Sequence, residues 1–181
     1  MRFEVRLAGF GGQGIILAGF ILARAAVLYD GKRAVQSQSY GAEARGGACK
    51  SEVIISDERI DYPLVIAPDA FLAMSQQAFD KYAKDVKPGG VLVLDSDLVR
   101  GGDLGSGIRL FKIPATRIAE GLGNRIVATM VALGALVELT GVVSRGAMEA
   151  SVRDGVPKGA EGINLAALRE GFKFSEGARS A

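Results

Sequence analysis

Phe3, Val5 and Leu7 alternate with Glu4 and Arg6 at the start of the chain, the period-two pattern of a strand with one buried face. A glycine-containing turn follows. From Ile15 to Tyr29 the residues are apolar on nearly every side, which predicts a helix enclosed between layers. Asp30-Gly31 ends it, and Arg33 to Gln36 predicts a short second strand. The stretch QSQSYGAEARGG, residues 36–47, has neither a helical nor a strand period and reads as a polar loop. A strand from about Cys49 to Ser56 comes next, with Cys49 on the same face as Val53 and Ile55.

Further along, Leu64 to Ala67 and Val91 to Leu94 are short apolar runs of the buried-strand kind, and Phe71 to Tyr82 between them predicts a helix. Lys87-Pro88-Gly89-Gly90 makes the turn into the second run. Ile108 to Ile113 is another strand, stopped by Pro114. Arg125 to Leu139 predicts a long apolar helix closed by Gly141. Ser144 is placed to cap a helix near residues 145–153, and a helix from Ala160 to Phe174 completes the series. Strands alternating with helices in this way predict an α/β layered sheet.

A length of 181 residues suits one domain. The longest uncharged apolar run, Ile15 to Ala23, is shorter than the ~18 residues that cross a bilayer, so no membrane span is predicted. The amino terminus lacks a secretory pattern, and the expected location is cytoplasmic. Cys49 is the only cysteine and histidine is absent. One thiol holds no iron–sulfur cluster or structural zinc, and the side chain most used as a general base near neutral pH is missing. Net charge is +2 with the basic residues scattered, which gives no nucleic-acid footprint.

Gly9, Gly11 and Gly14 spell G-x-G-x-x-G between the first strand and the first helix. Such a turn brings backbone N–H groups to a helix amino terminus, where negative charge is favoured. A nicotinamide site also needs an acidic residue about 20 residues on, to bind ribose. VQSQS stands there instead, and Asp30 sits at a turn. The motif alone is compatible with a structural turn or with an anion cradle. Gly12 adds a further bare amide, and Gln13 places an uncharged donor and acceptor at the helix start.

The second glycine loop is the less ordinary stretch. Its amide, hydroxyl, carboxylate and guanidinium groups, closed by Gly46-Gly47, suit recognition on a surface. In a parallel sheet this loop would lie near the first one. Arg45 could offer a planar fork to phosphate or carboxylate, with Lys32, Arg33 and Lys50 as secondary charges. Equally, Glu43 and Arg45 could be solvated or internally paired, and Tyr40 could stack on a ring or pack beneath the loop. Cys49 reads as a small buried hydrophobe.

Taken together, GFGGQGIILAGFILARAA, QSYGAEARGGACKSEVIIS, IDYP and GLGNRIVATMVALGAL resemble the gamma subunit of the 2-oxoacid:ferredoxin oxidoreductases over nearly the whole chain. The resemblance implies a single three-layer α/β/α domain over residues 1–175, with a mostly parallel or mixed sheet and residues 176–181 as a disordered tail. It also implies an enzyme that converts a 2-oxoacid and coenzyme A to acyl-CoA and carbon dioxide while reducing ferredoxin. Thiamine diphosphate, magnesium and iron–sulfur clusters are then expected in alpha, beta and ferredoxin-like delta partner subunits, and none in this chain, which alone should be inactive. GAEARGG followed by SEVIIS looks closest to 2-oxoglutarate-type chains; pyruvate, branched-chain 2-oxoacid and indolepyruvate equivalents stay open, as does a free-standing α/β nucleotide-binding protein. The chain departs from similar ones at Thr129-Met130, where Asn-Met is frequent, so a hydrogen bond of that asparagine is in question. Gly11, Gly12, Gln13, Gly14, Arg45, Gly46 and Gly47 are the candidate contacts, either to coenzyme A or to partner subunits. No catalytic residue and no metal ligand is expected.

Overall fold

A mixed six-stranded sheet organises the computed structural model, which describes residues 1–40 and 47–178. The strands are β1 (Arg2–Phe10), β2 (Arg33–Tyr40), β3 (Ala48–Ser56), β4 (Ala70–Ala73), β5 (Val91–Asp95) and β6 (Arg109–Ile113). The helices are α1 (Ile15–Leu28), α2 (Gln76–Tyr82), α3 (Ala115–Gly121), α4 (Ala128–Thr140), α5 (Arg145–Gly155) and α6 (Glu161–Ser175). Across the sheet the order is β2-β3-β1-β4-β5-β6. β1, β4, β5 and β6 run parallel, while β3 is antiparallel to both β1 and β2. The α/β class and the mixed sheet are as expected.

The two faces of the sheet are covered unequally. On one, Val5, Leu7, Val53, Leu72 and Val93 pack against Ile21 and Leu22 of α1 and Val131 and Leu136 of α4. On the other, a smaller core of Phe71, Ala73, Leu92 and Leu94 lies with Ala78 and Phe79 of α2. Over β1 and β3 that second face is charged. Arg6, 4% exposed, donates to Glu52 at 2.7 Å and Asp85 at 2.6 Å and lies 4.9 Å from the centre of the Tyr82 ring. A buried guanidinium this fully paired fixes geometry more than it adds stability.

Three elements differ from the sequence reading. β2 continues to Tyr40, so its polar half is strand rather than loop. At the sheet edge a strand can leave polar side chains half exposed while the ladder to β3 satisfies its backbone, and Gln36 also donates to the Ile16 carbonyl and the Ser51 hydroxyl. The strand expected at Leu64–Ala67 lies instead at Ala70–Ala73. A central parallel strand is buried on both faces, a condition that Ala70, Phe71, Leu72 and Ala73 meet and that exposed Leu64 and Ile66 do not. The helix expected from Phe71 therefore begins at Gln76, where the Ser75 hydroxyl accepts the Ala78 N–H at 3.1 Å. After α6, Glu176 pairs with Arg145 and Ala178 packs against the core; residues 179–181 lie outside the described residues.

Candidate functional site

Because β1, β4, β5 and β6 are parallel, their carboxyl ends share one pole, the usual place for a ligand in an open α/β sheet. The first glycine turn leaves β1 at this pole. Gly12 and Gly14 have φ of +91° and +82°, left-handed backbone that only glycine adopts without strain. No side chain caps α1 behind them. The Gly12 amide makes no hydrogen bond among the described residues.

Two of the other expected donors are engaged within the fold. Gly11 N–H donates to the Gly47 carbonyl at 3.1 Å, which ties the two glycine loops together. They meet through the antiparallel pairing of β3 with β1, which sets Ala48 opposite Phe10. Gln13 is a junction. Its side-chain oxygen accepts the Phe10 N–H at 2.7 Å and its amide nitrogen donates to the Met74 carbonyl at 3.0 Å, while its own carbonyl accepts the Thr129 hydroxyl at 2.7 Å. Gln13 thus joins β1, β4 and α4 and holds the turn. Thr129 supplies a hydrogen bond where asparagine had been the family expectation. Arg45 and Gly46 fall outside the described residues.

Beside the turn is a crevice of about 330 Å³, bounded by Gly12, Gln13, Met74, Leu98, Thr116, and Arg125 and Ile126 at the entry to α4. Sequence reasoning did not single out the last five as site residues. Leu98 follows β5, and Thr116 opens α3, where its hydroxyl donates to fully buried Asp95 at 2.5 Å. The Asn124 side chain accepts the Ile126 N–H at 3.1 Å and starts the short turn of 3₁₀ helix, Arg125–Val127, that leads into α4. Arg125 is exposed, and its side chain makes no hydrogen bond or ion pair among the described residues. Among the described residues no carboxylate lines the crevice, so the charge they present to an entering anion is the Arg125 guanidinium. The signal was available: a capping Asn before a long apolar run puts the next residue at a helix start.

Cys49 is buried opposite Gly9, and burial pushes its thiol up from the usual range, consistent with a packing role. Among the described residues no three His, Cys, Asp or Glu side chains converge as a metal site would require. One cysteine in the chain does not fit an iron–sulfur cluster, and the described residues do not fit the magnesium of thiamine diphosphate. A nicotinamide site does not fit either. β3 separates β2 from β1, and β2, Arg33–Tyr40, contains no acidic residue to take the ribose.

Residues 4–174 match the pyruvate ferredoxin/flavodoxin oxidoreductase family. The chain belongs to that family. It is 57% identical to the 2-oxoglutarate synthase subunit KorC of Methanocaldococcus jannaschii over 178 residues, covering 97% of this chain and 95% of the relative. It superposes on the gamma subunit of a keto/oxoacid ferredoxin oxidoreductase from Geobacter sulfurreducens with a TM-score of 0.83 at 51% identity, covering 96% of this chain and 98% of that one. A third likeness, at TM-score 0.87 and 26% identity, is to a 2-oxoglutarate:ferredoxin oxidoreductase from Magnetococcus marinus with 2-oxoglutarate, coenzyme A and succinyl-CoA bound; it covers 97% of this chain and 31% of that one. The family is one of oxidoreductases, and this member has the dimensions of its separate gamma subunits.

Proposed function

We propose that this chain is the gamma-type subunit of a 2-oxoglutarate:ferredoxin oxidoreductase and that its crevice receives the phosphates of coenzyme A. The partners are alpha, beta and ferredoxin-like delta subunits, which hold thiamine diphosphate, magnesium and the clusters, with ferredoxin as acceptor. The likeness to 2-oxoglutarate synthase subunits favours 2-oxoglutarate over pyruvate or branched-chain substrates.

The observation that carries the coenzyme A reading is Arg125, whose guanidinium at the lip of the crevice has no partner and no neighbouring carboxylate among the described residues. Gly12 adds a free backbone amide, and Gln13 and Gly14 set its direction. Gly11 and Gly47 brace the turn from behind. Arg45 and Gly46 stay in the proposal on sequence grounds, as immediate neighbours of Gly47 in the chain. The contribution is positional: gripping the phosphates holds the distal thiol at a fixed reach from the partner's reaction centre, which lowers the entropy lost on approach.

Arg125→Ala in the assembled enzyme should raise the KM for coenzyme A about tenfold, the loss expected for one charged hydrogen bond, and leave the KM for the 2-oxoacid unchanged. An unaltered coenzyme A requirement in a fully assembled variant would remove the reading. Docking of partners by the glycine loops would then be the better account.

A further inference from the structure

We propose that the segment between β3 and β4, with Tyr62, Leu64 and Ile66 exposed, is the surface on which this chain docks to the subunit equivalent to the remainder of the longer chain in which this fold is fused. The inference rests on the assembly reading above and adds where the contact lies. The three side chains are 52%, 53% and 71% exposed, whereas Val65 between them is 8% exposed. Pro63 is exposed as well, so Val65 is the inward anchor of an otherwise outward-facing stretch, and among the described residues the segment joins none of the six strands.

Arginines hold it instead. Arg2 donates to the Tyr62 carbonyl at 2.8 Å and the Leu64 carbonyl at 3.4 Å, and Arg6 donates to the Val65 carbonyl at 3.3 Å. Arg6 is itself locked by Glu52 and Asp85. At the far end Asp69 closes a reciprocal pair with the Glu4 backbone: its N–H donates to the Glu4 carbonyl at 2.8 Å and its carboxylate accepts the Glu4 N–H at 2.8 Å. The result is an apolar strip set in place before any partner arrives, flanked by an open groove of about 450 Å³. Contiguous exposed apolar surface marks interaction sites, and a pre-ordered strip loses little conformational freedom on docking.

The charges on the groove say what kind of partner fits. Arg2 is paired with Glu4 and Lys87 with Asp69, so the rim is close to neutral and the centre apolar. An apolar protein surface suits it, and a polyanion does not. The Magnetococcus marinus relative indicates which protein. There the shared fold is 31% of a longer chain, so the rest of that polypeptide is tethered beside this domain. Where the domain is a separate chain, the equivalent polypeptide has to be held by surface contact alone, and the strip is built for that.

The test is co-expression of the whole complex with Leu64→Ser/Ile66→Ser, measuring the affinity of the gamma chain for the remaining subunits. Docking should weaken at least tenfold while the isolated variant keeps its unfolding midpoint. Leu28→Ser, on the exposed side of α1, should assemble as wild type. Unchanged affinity of the double variant, with wild type assembling normally, overturns the strip but leaves the assembly reading standing. Failure of wild type to assemble overturns both. Loss of self-association by the isolated variant with unchanged partner affinity makes the occupant a second copy of this chain and also overturns the inference. Should the double variant unfold, Ile66→Lys, at the most exposed of the three positions, decides by the same affinity.

Discussion

α1 and α4 both begin at the crevice, both are apolar on almost every side, and they end in different environments. α4 lies between the sheet and α6, with every residue buried except Glu138 and Thr140. It meets α6 where two glycines face each other: a methyl added at Gly171 would strike the Val131 carbonyl oxygen and sit 2.9 Å from the Ala135 nitrogen. α1 lies on the sheet with α5 behind it and leaves Phe20, Val27 and Leu28 more than 40% exposed. The same composition thus serves as a core rod in one place and as a half-open wall in the other. Hydrophobicity says that a helix will be covered; only the partners' shapes say on how many sides.

The comparison can be broken most severely at the α4–α6 crossing. Gly171→Ala should destabilise the chain by about 3 kcal/mol in urea unfolding, the upper part of the overpacking range, because helix backbone has no room to yield. Next, Leu133→Ala on α4, where the side chain is fully buried, should cost about 3 kcal/mol or slightly less. Leu28→Ala on α1, 56% exposed, should stay within about 0.5 kcal/mol. Equal effects at the two leucines would abolish the distinction.

Thr129→Val keeps the side-chain shape and removes the bond from α4 to the glycine turn. It leaves the Gln13 carbonyl without that donor, a cost of about 1–2 kcal/mol, and on the coenzyme A reading it should also raise the KM for coenzyme A. Thr129→Ser should restore both.

The smallest effect is expected where α5 and α6 join. Arg169 donates two hydrogen bonds to Glu149, at 3.0 and 2.9 Å, and holds its carboxyl below the usual carboxylate range, with Arg153 adding to the shift. A carboxyl lowered in the folded state stabilises above its unfolded pKa, and that contribution is lost as the pH falls through the folded value. Glu149→Gln should therefore be slightly less stable than wild type at neutral pH and equal to it in acid. A difference that survives acidification would assign the effect to packing.

How far the residues alone could be read depended on where the information resides. Alternation in β1 and the all-round apolar faces of α1 and α4 are local, and they were legible. β4 was misplaced because Leu64–Ala67 and Ala70–Ala73 are equally apolar, and what separates them is the pair of layers that bury the second run. The second half of β2 looked like a loop because a polar edge strand is recognised by its neighbour rather than by its own composition. At the crevice, the glycine turn could be named in advance. Asn124 marked Arg125 as a helix start, but that Arg125 and Thr116 line one crevice with the turn was not legible, since they come from segments brought to the same pole only by the parallel strands.

The sequence by itself determined the alternating elements, the glycine turn, and a side-chain inventory with one cysteine and no histidine that leaves this chain nothing to carry clusters with. These follow from local backbone preference and from counting donors. The tertiary structure alone decided that β3 enters antiparallel, that Gln13 is fixed between β1, β4 and α4, and that Arg125 lines one crevice with the glycine turn. Those are relations between residues distant in the chain, and they arise because burial and hydrogen-bond satisfaction are settled by the whole fold at once.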